Sequence, residues 1–449
     1  MKKLIALALA ALMAFACLAC AKKEQPAEPT KAPETSAQQP TGEEPATTAS
    51  GKVYYLNFKP EADAAWKELA AQYTEKTGVP VTVVTAASGT YSETLTAEMD
   101  KGDAAPTLFQ CGNQAGLQTW RDFCLDLTDT AVYGEMTTDD FNLFGENGEV
   151  FCIGYCYEAY GIIVNKALLE KAGHSLDEIR DFASLKAVAE DIHARSAELG
   201  FDAFTSAGLD GSSSWRFSGH LTSVPLFYEF RDDGVTAQPA TIKGTYLDNF
   251  KKVWDLYVAN SSTPPAKLTT ATGDQAEAEF GEGKAVFYQN GTWEYANLTG
   301  EKFGMNPDDL AMIPIYCGVA GEEKAGLCAG TENCWAVNSQ ASKENIQATL
   351  DFLYWVVTSD EGTQMMAEQF GPIPFKNAKE TENVFFTDAS RYIDKGNYAV
   401  TWAFLLTPNT DTWRAGVVAA LTQYTAGSGS WDDVVTAIVQ GWATQYANQ

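Results

Sequence analysis

The 449-residue sequence is short of positive charge and of histidine. Lys and Arg number 31 against 59 Asp and Glu, a formal net charge of −28. That balance argues against nucleic-acid binding, which needs basic patches to neutralise phosphate, and against lying along anionic lipid. A solvated acidic surface is the plain reading. Histidine occurs only at His174, His193 and His220, with no HExxH and no Cys/His pairs at ligand spacing, so no metal site is expected. Beyond residue 20 the cysteines are Cys111, Cys124, Cys152, Cys156, Cys317, Cys328 and Cys334. An odd, scattered set without CxxC does not describe a disulfide framework, and these are expected to be core thiols. GxSxG, P-loop and dinucleotide fingerprints are also missing. Gly281-Glu282-Gly283 lacks a third glycine and precedes a strand, so no cofactor loop is expected.

The N-terminus is informative by what it contains. Lys2 and Lys3 precede an apolar stretch, Leu4 to Leu18, of about 15 residues. That suits a secretory signal and is too short for a membrane span. The stretch ends Cys17-Leu18-Ala19-Cys20, which resembles a bacterial lipobox. The resemblance makes 1–19 the signal peptide and Cys20 the lipid-bearing residue, with Cys17 standing where Leu is usual. A cleaved signal without lipid is the alternative. Residues 20–51 are rich in Pro, Thr, Ala, Glu and Gln with almost no large apolar groups, a composition that cannot bury enough surface to fold and suits a tether.

The folded part is expected to open with a strand at Val53–Phe58, then a helix presenting Trp66, Leu69, Ala70 and Tyr73 on one face until Gly78. A strand at Val79–Val84, a helix at Tyr91–Met99 and a strand at Thr107–Gln110 follow. This alternation predicts an α/β fold with a mainly parallel sheet covered on both faces. Asn113 closes the third strand. Two further strands are expected at Val150–Tyr157 and Gly161–Asn165, separated by Glu158–Tyr160. Helices are expected at Lys166–Ala172, Leu185–Leu199, Tyr246–Val258 and Asn345–Val357, then one capped by Ser359. The chain is organised around Phe280–Leu298: a Gly-punctuated turn, a short strand Ala285–Tyr288, a polar break at Gln289–Thr292, then Trp293-Glu294. Thr292 is the expected N-cap. A ring beside an acid at a strand end suits a ligand cleft. A tryptophan closing its helix onto the sheet is the alternative.

Five segments in order carry a resemblance. They are Tyr73–Val81; Lys101–Leu108, with Thr107 where Asp is common; Gly161–Lys166, with Val164 where Tyr is usual; Phe280–Trp293; and Cys334–Val357 followed by Ser359-Asp360-Glu361-Gly362. From about Val53 onward the chain resembles the extracytoplasmic solute-binding proteins of ABC transporters, the large family that includes maltose-binding protein. The resemblance implies a two-lobed periplasmic-binding-protein-like fold, each lobe a mainly parallel sheet flanked by helices, joined by a multi-strand hinge. On this chain the lobes would be 52–157 plus 331–374 and 158–330 plus 375–449. It implies a monomer that closes over a small polar solute, most simply a sugar, and hands it to permease subunits, touching the membrane through a lipid anchor alone. By the same resemblance Trp293 takes a sugar-stacking position, Asn113 a polar position after the third strand, and Glu158 that of a hinge carboxylate. Trp215 and Trp413 fall near aromatic walls. Topology adds Glu332 and Asn333, where a strand crosses back between lobes. Aromatic faces cover the C–H faces of a pyranose while carboxylates and amides bond its hydroxyls. Each tryptophan could instead be core, and each acid solvated or structural. An acidic chain disfavours an anionic ligand unless Arg216 or Arg414 lies in the cleft. Two rival readings stay open: an exported carbohydrate-active enzyme, which needs two carboxylates facing across a bond, and a sugar-sensing receptor component without transport.

Overall fold

The computed structural model describes residues 50–449. The expected signal peptide, Cys20 and most of the tether fall outside the described residues.

β1 (Val53–Asn57) leads into α1 (Asp63–Thr77), whose buried face is Trp66, Leu69, Ala70 and Tyr73, as the spacing predicts. Gly78 ends it in the left-handed conformation at φ 74°. β2 (Val81–Thr85), α2 (Tyr91–Met99), β3 (Leu108–Gln110), α3 (Gln114–Trp120), β4 (Leu143–Phe144) and β5 (Val150–Gly154) follow. β6 spans Glu158–Asn165, so Glu158–Tyr160 begin a strand rather than interrupt two. The break falls instead at 155–157. α4 (Lys166–Lys171) and α5 (Phe182–Ala194) follow, α5 opening on an Asp181–Ser184 capping box. Then come β7 (Asp202–Phe204), a π-helical turn Arg216–Leu221 running into α6 (Thr222–Asp233), α7 (Leu247–Ala259) and α8 (Gly273–Gly281).

β8 runs through Ala285–Gly291, and the expected polar break at 289–291 is its last turn of strand. Gln289, Asn290 and Gly291 pair with Ile162, Gly161 and Tyr160, and that ladder outweighs their polarity. Thr292 is not a cap. Gly291 takes that place, and the Thr292 hydroxyl accepts from the Ala159 amide. β9 (Leu310–Ile313), β10 (Ala325–Gly330), β11 (Cys334–Val337), α9 (Lys343–Thr358), α10 (Asp360–Phe370), α11 (Val384–Asp394), β12 (Tyr398–Thr401), α12 (Thr410–Thr425) and α13 (Trp431–Ala447) complete the order. Ser359 caps α10 through the Gly362 amide, as expected.

The strands form two sheets, ordered β2-β1-β3-β11-β5-β4 and β12-β10-β6-β8-β7, with β9 also on β6. Both are mixed rather than mainly parallel. β1 pairs parallel with β2 and β3, β7 with β8, and β10 with β12; the remaining pairs are antiparallel. The physical reason is the crossings. The chain leaves the first sheet at β5 and enters the second at β6, then returns from β10 into β11. β6 and β11 therefore start where β1, β3, β8 and β12 end. A third crossing joins α10 to α11. Apolar clusters cover both faces of each sheet.

Candidate functional site

Because β1, β3, β8, β10 and β12 end at one level and β6 and β11 start there, the intervening loops surround a common crevice, the usual place for ligands in open α/β sheets. A cavity of about 730 Å³ lies there. Each strand end contributes a side chain: Lys59 after β1, Asn113 after β3, Glu158 opening β6, Trp293 after β8, Glu332 between β10 and β11, and Trp402 after β12.

The floor is an ionic and polar network. Lys59, 7% exposed, donates to Glu158 Oε1 at 2.8 Å and sits 3.4 Å from Glu61. Its ammonium also lies 4.8 Å from the Trp293 ring centroid, a cation–π distance. Burial works against the ammonium, but Glu158 and Glu61 outweigh it and hold its pKa above the usual value. The second oxygen of Glu158 accepts from Asn333 Nδ2 at 2.7 Å. Asn333 is wholly buried, accepts from the Tyr155 hydroxyl and does not line the cavity. Tyr155 in turn accepts from Gln110, whose other amide atom takes the Tyr55 hydroxyl and the Phe58 amide. Asn333 thus supports Glu158 from behind.

The walls are aromatic on the second-sheet side. Trp293 is partly buried, 6.1 Å from Trp215 and 5.6 Å from His220. Its ring lies so close over Gly291 that any Cβ there would collide with it. Trp215 is held by its indole N–H on the Ser212 carbonyl. His220 stacks on Tyr160 at 3.9 Å, with the planes 4° apart. Burial first, then Arg414, Lys59 and Arg216, keep its imidazole pKa well below the usual value, so it presents a neutral ring. Trp402 and Phe404, stacked on each other at 5.3 Å, lie 6.3 and 5.8 Å from the His220 ring.

Glu332 faces the cavity, and burial raises its carboxyl pKa to about 7, with Arg414 and Lys59 opposing. Arg414 also lines the cavity, beside Gly219. Arg216 does not. It is buried behind the wall, donating to the carbonyls of Ser206 and Gln289. Asn113 lines the cleft, but its Oδ1 caps α3 through the Gly116 amide, so its donor face is the one offered.

The structure brings Trp293, Asn113, Glu158, Trp215 and Glu332 together and leaves two predicted residues out of the wall. Asn333 lies beneath it. Trp413 is 2% exposed, donates to the Ile438 carbonyl and meets Trp442 edge-on. Successive residues of a helix point about 100° apart, so with Arg414 facing the cleft, Trp413 faces α13. Lys59, His220, Trp402 and Phe404 were not anticipated. Lys59 and Trp402 could have been found by asking which residues follow each strand end. His220 sits in a π-helical turn without readable periodicity.

Residues 68–390 match the family described as "Bacterial extracellular solute-binding protein". No curated protein sequence is significantly similar. Among solved structures, RafE in complex with raffinose superimposes with a TM-score of 0.69 at 16% identity, covering 88% of this chain and 99% of that one. The GacH receptor of Streptomyces glaucescens, solved unliganded and with acarbose, gives 0.65 at 17% identity, covering 89% and 99%. A sugar transporter protein from Bacillus licheniformis in complex with stachyose gives 0.65 at 16% identity, covering 88% and 99%. These are likenesses of fold.

Proposed function

The chain belongs to the family of bacterial extracellular solute-binding proteins, and from that premise we propose that it captures a sugar or short oligosaccharide and delivers it unmodified to an ABC importer. The observation that carries the reading is the cleft itself, where Trp293 and Trp215 offer apolar faces directly beside the Lys59–Glu158 pair. Ring faces suit the C–H faces of a pyranose, and fixed charged donors and acceptors suit its hydroxyls. The bound raffinose, acarbose and stachyose of the similar structures support the same class. The lobes are taken as 52–157 plus 331–374 and 158–330 plus 375–449, a division supported by the two sheets and the crossings between them. Closure of one lobe on the other would complete the site and form the surface that permease subunits receive. The family is extracellular, and among the described residues no helix is long and apolar enough to cross a membrane. Anchoring through lipid on Cys20, with the protein a monomer, completes the proposal.

The test is a melting-temperature screen of the purified protein against mono- and oligosaccharides, repeated with Trp293→Ala. A ligand that binds only the folded state raises the melting temperature. The expected outcome is a rise for one sugar class, with Kd weakened at least about tenfold in the variant, about 1.4 kcal/mol, and the sugar recovered intact. Recovery of cleaved sugar would overturn the binding reading in favour of an enzyme.

A further inference from the structure

Behind the first-sheet wall of the cleft stand three thiols that solute binding does not use. Cys111 follows β3, Cys124 follows the short turn 121–123 after α3, and Cys152 lies within β5. Their sulfurs all fall within 4.8 Å of one another, and none of the three residues is more than 5% exposed. Around them are Leu56, Leu95, Phe109, Leu117 and Ala336, an apolar shell. We propose that this thiol triangle is a binding site for one soft monovalent cation, Cu(I), held by three sulfurs.

The spacing fits a common metal. Three sulfurs at about 2.3 Å from one ion, the usual thiolate distance, stand about 4 Å apart in a trigonal plane. A contraction of under about 1 Å therefore converts the triangle into a coordination sphere. A disulfide does not account for the whole cluster. β3 and β5 are not neighbours, because both pair with β11, through Gln110–Trp335 and Ile153–Trp335. Strands on either side of a third lie about 9–10 Å apart, beyond the about 7 Å between Cα atoms that a disulfide can bridge. Cys111 and Cys152 can share a bonded partner, not a bond.

The donor set selects the ion. Zinc takes four ligands in a structural site, whereas among the described residues this group comprises three sulfurs in an apolar surround. Cys334, in the same cluster, turns its thiol to the Phe141 carbonyl at 3.5 Å. Soft thiolates without oxygen or nitrogen ligands favour Cu(I). Each sulfur that binds releases its proton to solvent, and copper enters already reduced, so no electron is exchanged. A cation stands near the cluster, since Arg121 opens the short turn that ends at Cys124 and its guanidinium lies 3.3 Å from the centroid of the Phe151 ring, a member of the same apolar shell. Cys124 is oriented by its contact with the Trp120 carbonyl at 3.3 Å. The ion would tie the segment 111–124, which carries Asn113 and Trp120 of the cleft wall, to β5.

The experiment is an anaerobic titration of the fully reduced protein with Cu(I) against a chromophoric Cu(I) chelator. The native protein is expected to withhold one equivalent. Cys152→Ser should withhold none, while Cys317→Ser, in the other sheet's core, should behave as native. Copper X-ray absorption on the loaded native protein supplies a readout independent of variant folding, and three sulfur neighbours are expected. Full release of copper to the chelator, stoichiometric binding by Cys152→Ser, or a shell of two sulfurs would each overturn the site.

Discussion

Lys59 shows how a single residue can be both costly and necessary. Taking an ammonium and a carboxylate out of water costs several kcal/mol each, repaid only when geometry and extra hydrogen bonds are good. Here Glu158 has both oxygens engaged, by Lys59 and by Asn333, and Lys59 meets Glu61 and Trp293 as well. Removing one partner leaves the other buried and unpaired. Lys59→Met is therefore expected to destabilise by about 3–5 kcal/mol in urea unfolding, and Lys59→Met with Glu158→Gln to recover much of that loss. A double variant as unstable as the single would show that the pair is not coupled. Glu332 gives the pH signature. Its carboxyl is raised from 4.5 to about 7, so the folded state holds its proton where the unfolded state does not. Its contribution to stability is fully present below about pH 4.5 and is lost as pH rises through about 7. Glu332→Gln stays neutral, so the melting temperature of the variant relative to the native protein should climb between those values. A flat difference would show that Glu332 titrates normally.

At the scale of elements, α12 divides its work between adjacent residues. Arg414 looks into the cleft, and Trp413 locks the helix to α13 through Ile438 and Trp442. Trp413→Ala is expected to cost about 3–5 kcal/mol of stability, the range for emptying a buried tryptophan site, with ligand affinity at saturating fold little changed. Loss of affinity without loss of stability would return Trp413 to the wall. β8 makes a related point. Its polar end reads as a loop, yet the ladder to β6 keeps it extended to Gly291 and delivers Trp293 at a fixed height. Gly291 is needed there because the indole covers its Cα hydrogens with no room for a methyl group.

For the whole molecule, the proposed closure would turn about the three crossings between the sheets. The segments 155–157, 331–333 and 371–383 are short compared with the packed bodies they join. Under that proposal, a ligand touching both Glu332 or Asn113 on one side and Trp293 on the other would stabilise a closed arrangement by its extra contacts there. Small-angle scattering should accordingly show a smaller radius of gyration with the sugar found in the melting screen than without it. An unchanged radius with bound sugar would mean that the site forms without closure. The acidic surface, net −28 over the full sequence, keeps such a molecule soluble and disfavours contact with anionic lipid.

Much of this was written in local sequence. Apolar spacing in α1, the capping residue of α10 and the Gly78 stop are short-range effects, and the sequence alone determined them, along with the alternation that defines an α/β chain. The order of five family-like segments was equally local, and with it came Trp293, Asn113 and Glu158. Pairing across the fold decided the rest. Only tertiary contacts extended β6 back to Glu158 and β8 forward to Gly291, because a strand's length depends on its neighbour's ladder as well as its own residues. Only packing turned Trp413 inward and Arg414 outward, since nothing in a short helix sequence says which face will meet another helix. The aromatic wall of His220, Trp402 and Phe404, and the meeting of Cys111, Cys124 and Cys152, depend on strands far apart in sequence lying side by side, a relation that no local pattern encodes.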